Sequence, residues 1–183
     1  MANKRQVNSR QMAFGGILAA VSLVLMLLSS VIPVMSYGLP AIAGFLTTLV
    51  VIECGDRMAA VCYGAVSILS VILVPDKESA LLYLILFGWY PIVKRHIEKL
   101  RKPVLEWALK LVCMAVPVGA ASVVAVAVLG LGAVFGEGMG PALIAGFYLV
   151  AVVAFVLYDI VMTQLITAYL SVIRPRYLSK LFK

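Results

Sequence analysis

The chain has 183 residues, of which 64% are hydrophobic and 13% charged, and its net charge is +7. A soluble domain is nearer half apolar and a quarter charged, and a domain of this size keeps too much surface wet to hide so many apolar side chains. This excludes a soluble globular fold, a disordered chain and a small disulfide scaffold, and predicts an all-α, polytopic membrane helical bundle. The basic residues stand between apolar runs, the pattern that orients membrane proteins and favours anionic lipid headgroups. Membrane lipids are therefore expected partners. Nucleic acid is not, because no basic patch is interleaved with stacking aromatics. Cys54, Cys62 and Cys113 are odd in number and form no CxxC pair, so they read as small apolar fillers with no metal site or disulfide framework.

Six apolar segments follow one another. The first, 12–35, comes after Lys4, Arg5 and Arg10 and ends at a turn carrying Pro33 and Pro40. It is longer than a signal-peptide core and long enough for a ~30 Å hydrocarbon layer, so it is read as a retained helix. The second, 41–52, closes at Glu53-Cys54-Gly55-Asp56-Arg57, and the third, 58–74, at Pro75-Asp76-Lys77-Glu78. The fourth, 80–93, runs into the basic stretch 94–103, where Trp89, Tyr90 and Trp107 read as interfacial anchors. The fifth, 104–135, is broken by a Gly-rich turn around Glu137. The sixth, 142–170, precedes a tail with Arg174, Arg176, Lys180 and Lys183. Segments two and four fall short of the roughly 20 residues a span needs. Charge allows six or four spans equally, and both place the two termini in the cytoplasm. The expected architecture is one integral membrane domain, 1–183, with six transmembrane helices, two of them short.

The sequence has no HExxH, GxSxG, Walker A or paired intramembrane aspartates, so no catalytic residue, cofactor or metal is expected and the chain does not read as an enzyme. The lone His96 lies in the basic connector and reads as a solvated residue. Asp159 sits inside the sixth segment, where an isolated carboxylate is costly, so it should face the bundle and find a partner. Lys110 and Glu106, one turn apart on the fifth segment, are the nearest by depth. The pair is read either as a structural ion pair or as a substrate, proton or partner contact.

Two further features carry candidate function. Gly15/Ala19 and Gly16/Ala20 are spaced i, i+4 on the first helix and give it a smooth face, for packing inside the bundle or for docking on another membrane subunit. In the six-span reading, the turns holding Tyr37, Asp76, Lys77, Tyr83 and Glu137 meet on the outer side. Charged and aromatic groups there could capture a small polar molecule, or could simply be turn chemistry.

The run SRQMAFGGILAAVSLVLM after a basic arm, with six apolar segments on a chain of this size, resembles the substrate-binding (S) components of bacterial energy-coupling factor vitamin transporters. The stretch from VVIECGDRM to KRHIEKL is similar to an uncharacterised Firmicutes-type subgroup of that class. Members carry an AxxxA-type face on helix one that docks on a coupling subunit, and Gly15, Gly16, Ala19 and Ala20 occupy the matching stretch, with Gly at two of the four positions. The resemblance implies capture of a vitamin or other micronutrient at the outer face of the bacterial plasma membrane. Release inside would follow toppling against a transmembrane coupling subunit driven by two cytosolic ATPases. The rival readings are an inner-membrane scaffold without a ligand, resembling the cell-shape factor family, and an intramembrane lipid enzyme using Asp159.

Overall fold

A computed structural model of the chain describes residues 9–100, 102–129 and 141–178. No strand occurs among them. The helical path falls into six segments: α1 (Ser9–Ser29), α2 (Gly38–Glu53), α3 (Asp56–Leu73), a broken fourth segment, α6 (Pro103–Leu129) and α7 (Pro141–Ala168). The fourth consists of α4 (Lys77–Leu82), a π-helical turn (Tyr83–Phe87) and α5 (Tyr90–Ile97). Beyond α7 the chain continues as a π-helical stretch, Tyr169–Leu178. Three stretches, Ser9–Ser29, Asp56–Leu73 and Tyr148–Val172, are long and apolar enough to cross a membrane, while Gly38–Glu53 is apolar but shorter. The all-helical class and its compatibility with membrane insertion therefore stand. The chain divides into two compact units at the step from Lys99 to Leu100.

The boundaries differ from the apolar runs for local reasons. The first run extends to residue 35, but α1 stops at Ser29 and a 3-10 turn, Pro33–Met35, follows. Pro33 disfavours helical backbone at the residue before it, so α1 cannot run on to the end of the apolar stretch. The fourth segment starts earlier than its apolar run, at Lys77, because Asp76 caps it. It then breaks at the π turn, where the Gly88 N–H donates to the Tyr83 carbonyl at 2.7 Å, five residues back.

In the first unit α1 packs on α2 and α3, and α2 also touches the π turn and α5. Side-chain bonds fix the antiparallel order. Gln11, at the start of α1, donates through Nε2 to the carbonyl of Glu53 at the end of α2 (3.0 Å). At the opposite end the Asp76 N–H donates to the Ser30 hydroxyl (3.2 Å) and the Ser79 hydroxyl donates to the Ser36 carbonyl (2.8 Å). Two buried clusters fill the interior. Met26, Ala43, Val66, Val74, Ala80 and Tyr83 form one, and Val50, Val51, Ala59 and Cys62 the other. Ala19 packs against both. The outward faces stay apolar: Ile17, Val24, Val61, Ile68 and Ile72 are each more than three-fifths exposed, a surface compatible with a lipid surrounding.

Two glycines are fixed by geometry. Gly55, between α2 and α3, has φ +89°, the left-handed region that strains other residues. Gly88 lies against two rings: a Cβ there would stand 2.5 Å from the Tyr63 ring and 2.9 Å from the Tyr83 ring. Rigid rings cannot yield as a flexible chain end would. Gly88→Ala should therefore lower stability by about 1–3 kcal/mol, while Gly16→Ala, inside α1 and with nothing within 4 Å of its Cβ, should raise it by up to about 1 kcal/mol. Thermal melts of the purified protein in detergent micelles measure both.

Candidate functional site

The turns after α1 and α3 come together at one end of the first unit. Asp76 is the N-cap of α4: its Oδ1 accepts from the N–H groups of Glu78 (3.1 Å) and Ser79 (3.3 Å), and its Oδ2 accepts from the Ser79 hydroxyl. Burial pushes the Asp76 carboxyl up, but the bonds from Ser79, Ser36 and Glu78 outweigh it and hold the group below the usual carboxylate range. The Tyr37 hydroxyl donates to Glu78 Oε1 at 2.7 Å. That bond and the charge of Glu78, with smaller contributions from burial and Asp76, raise the Tyr37 phenol. Lys77 turns its Nζ back onto the carbonyls of Val71 (2.8 Å) and Val74 (2.9 Å), the unpaired end of α3.

The structure thus brings together Tyr37, Asp76 and Lys77 of the five outer-face candidates. Tyr83 does not join them. It is completely buried, 3.0 Å from the Thr47 hydroxyl, with the Tyr63 ring at 6.2 Å. It lines a crevice with Leu18, Ala19, Ser22, Thr47 and Cys62 that has no room for a water molecule. Glu137 lies outside the described residues.

The four small residues of α1 divide between two faces, because neighbours on a helix point about 100° apart. Gly15 is buried, and a Cβ on it would stand 3.0 Å from the Met58 methyl and 3.4 Å from Cys62 Sγ. Ala19, half-buried, faces the same way. Gly16 and Ala20 are exposed. The i, i+4 pairs therefore have different surroundings: Gly15/Ala19 lets α3 approach, and Gly16/Ala20 leaves a bare strip on the outside.

The other end of the first unit is held by cations. Arg95 Nη1 donates to the Val51 carbonyl (2.9 Å) and to Asp56 Oδ1 (2.8 Å), joining α5 to the end of α2 and the start of α3. His96 is exposed, with Nε2 3.7 Å from Asp56 Oδ2. Lys94, buried, meets Glu98 at 3.1 Å. These ties were not read from the sequence; the basic stretch signalled charge but gave no partners. Burial pushes the Cys54 thiol up to about 11, which keeps it protonated and poorly nucleophilic. Among the described residues no group of three or more His, Cys, Asp and Glu side chains could hold a metal ion.

In the second unit Lys110 Nζ lies 2.8 Å from Asp159 Oδ2, with side chains 8% and 4% exposed. The ammonium also stands 5.5 Å from the Trp107 ring centre. Of the two partners considered for Asp159, Lys110 is the one that meets it. Glu106 lies one turn earlier on α6, half-buried.

No protein-family model, curated protein or solved structure matches this chain.

Asp76→Ala removes a helix cap and should cost about 1 kcal/mol at neutral pH. The folded carboxyl titrates below the unfolded value of about 3.9, so its contribution stands above that pH and is lost as pH falls through the lower folded value. The stability gap between wild type and Asp76→Ala, followed by thermal melts from pH 7 downward, should narrow over that acid interval.

Proposed function

We propose that the chain is the substrate-capturing membrane subunit of an energy-coupling factor type transporter. In this reading it crosses the bacterial plasma membrane six times with both termini in the cytoplasm. It takes a vitamin-like micronutrient at the end holding Tyr37, Asp76 and Lys77. It then hands the ligand inward when docked on a transmembrane coupling subunit powered by two cytosolic ATPases. The chain performs no chemistry of its own and needs no cofactor. The similarity of residues 9–28 to first helices of that class supports the reading.

The observation that carries the proposal is the bare Gly16/Ala20 strip. A docking surface for another helix needs close backbone approach without long side chains. A Cβ at Gly16 has open space around it, so the residue's smallness is not explained by packing within the described chain.

One observation favours the scaffold reading instead. The crevice beside Tyr83 has no room for a water molecule, and Asp76 and Lys77 spend polar atoms on neighbouring groups of the chain itself. A scaffold needs no chamber, whereas a capturing subunit must open one.

Co-expression of the tagged chain with the host's coupling subunit and ATPases separates the two. Gentle solubilisation followed by mass spectrometry of proteins and small molecules should recover the ATPase module with wild type. Gly16→Leu should reduce that recovery at least about tenfold, the loss expected when a bulky side chain blocks close helix packing, with the yield of folded protein unchanged. Recovery of cell-envelope proteins alone, with no module and no small molecule, supports the scaffold.

A further inference from the structure

The Lys110–Asp159 pair is the most unusual feature of the second unit. Asp159 lies near the middle of the stretch Tyr148–Val172, which is long and apolar enough to cross a membrane. Lys110 lies two turns into α6, so its long side chain brings the ammonium to a carboxylate that cannot itself reach an interface. The contact is short, 2.8 Å, and both side chains are nearly fully buried. Trp107, one turn before Lys110, presents its ring to the ammonium. Around the carboxylate, the Thr163 hydroxyl donates to the backbone carbonyl of Asp159 at 2.8 Å, so the helix satisfies this hydroxyl itself. Apolar side chains stand exposed on both helices, Val112, Val116, Leu157 and Val161 each at least half so, and the exposed polar residues Thr163, Gln164 and Thr167 follow Asp159 on α7.

An unpaired ammonium or carboxylate at such a depth disfavours insertion by on the order of a hundredfold. Joined, the two charges cancel and each supplies the other's hydrogen bond. The pair also ties α6 to α7 within the second unit, so this contact can set how far α6 slides along α7.

We propose that Lys110 and Asp159 form a co-insertion lock: α6 and α7 enter and stay in the bilayer as one hairpin, in the register that this contact fixes. The lock is independent of any transported ligand or docking subunit. It requires opposite charges at these two positions, or none, and does not require a particular residue at either.

The test uses the full chain, fluorescently tagged at its C-terminus, expressed in membranes and followed by alkali extraction and size-exclusion chromatography. Lys110→Leu and Asp159→Leu should each lower the yield of integrated, monodisperse protein about tenfold or more, since each removes the opposite charge that the other residue meets at 2.8 Å. The double variant Lys110→Leu/Asp159→Leu should return to within about twofold of wild type, and the exchanged pair Lys110→Asp/Asp159→Lys should recover at least half of the loss, as expected when a buried pair is removed whole or rebuilt. Single variants with wild-type yield would overturn the lock. So would a double variant no better than the worse single variant, because each residue would then have a separate task.

Discussion

The carbonyls of Val51 and Glu53, at the end of α2, lie beyond the reach of that helix's own N–H groups. Two side chains from distant parts of the chain supply the donors: Gln11 bonds the Glu53 carbonyl and Arg95 the Val51 carbonyl. Arg95 also holds Asp56, the first residue of α3. One helix end thereby collects the start of α1, the start of α3 and the end of α5. The rest of the first unit depends on this convergence. It fixes the antiparallel order, aligns the buried clusters and places the Asp76 turn at the far end of the same helices.

The same requirement explains the polar interior. Ser22, Ser29, Thr48 and Ser70 are buried, yet each hydroxyl donates to a carbonyl three or four residues back on its own helix. Small hydroxylated residues let helices approach closely without demanding water. Tyr83 is too large for that solution and takes Thr47 as a partner on α2. Accommodating its ring beside Tyr63 leaves no space at Gly88, and the backbone widens there into the π turn. In the second unit the rule is met by ions, with Lys110 and Asp159 cancelling each other.

The helical class was legible in composition, and most segment boundaries lay within a few residues of the turn-forming Pro, Gly and Asp positions. The need for a partner at Asp159 was legible too, because a carboxylate inside an apolar run has few options and Lys110 sat at a suitable depth. The split of the small-residue face was not. Gly15 and Gly16 are adjacent in sequence, and only the position of α3 decides which of them is buried. Tyr83 was also misplaced on the outer side by its nearness in sequence to Asp76. Less than two helical turns lie between them, and that is enough to carry a side chain from the turn into the core. The carbonyl ties of Gln11 and Arg95 leave no periodic signature, since a donor for a helix end can come from anywhere in the chain.

Sulfur sets one dimension of the first unit. Cys54 and Cys62 donate to the carbonyls of Gln11 and Gly15, one turn apart on α1, at 3.3 and 3.6 Å. A hydroxyl bonds a carbonyl at about 2.7–2.8 Å, so these thiols act as spacers that hold α1 roughly half an ångström or more further from its neighbours. The Met58 side chain enters the same space, its methyl 3.0 Å from where a Cβ on Gly15 would stand. Cysteine here is a measure of distance: its atomic radius, and not its reactivity, adjusts how closely the first helix can lie.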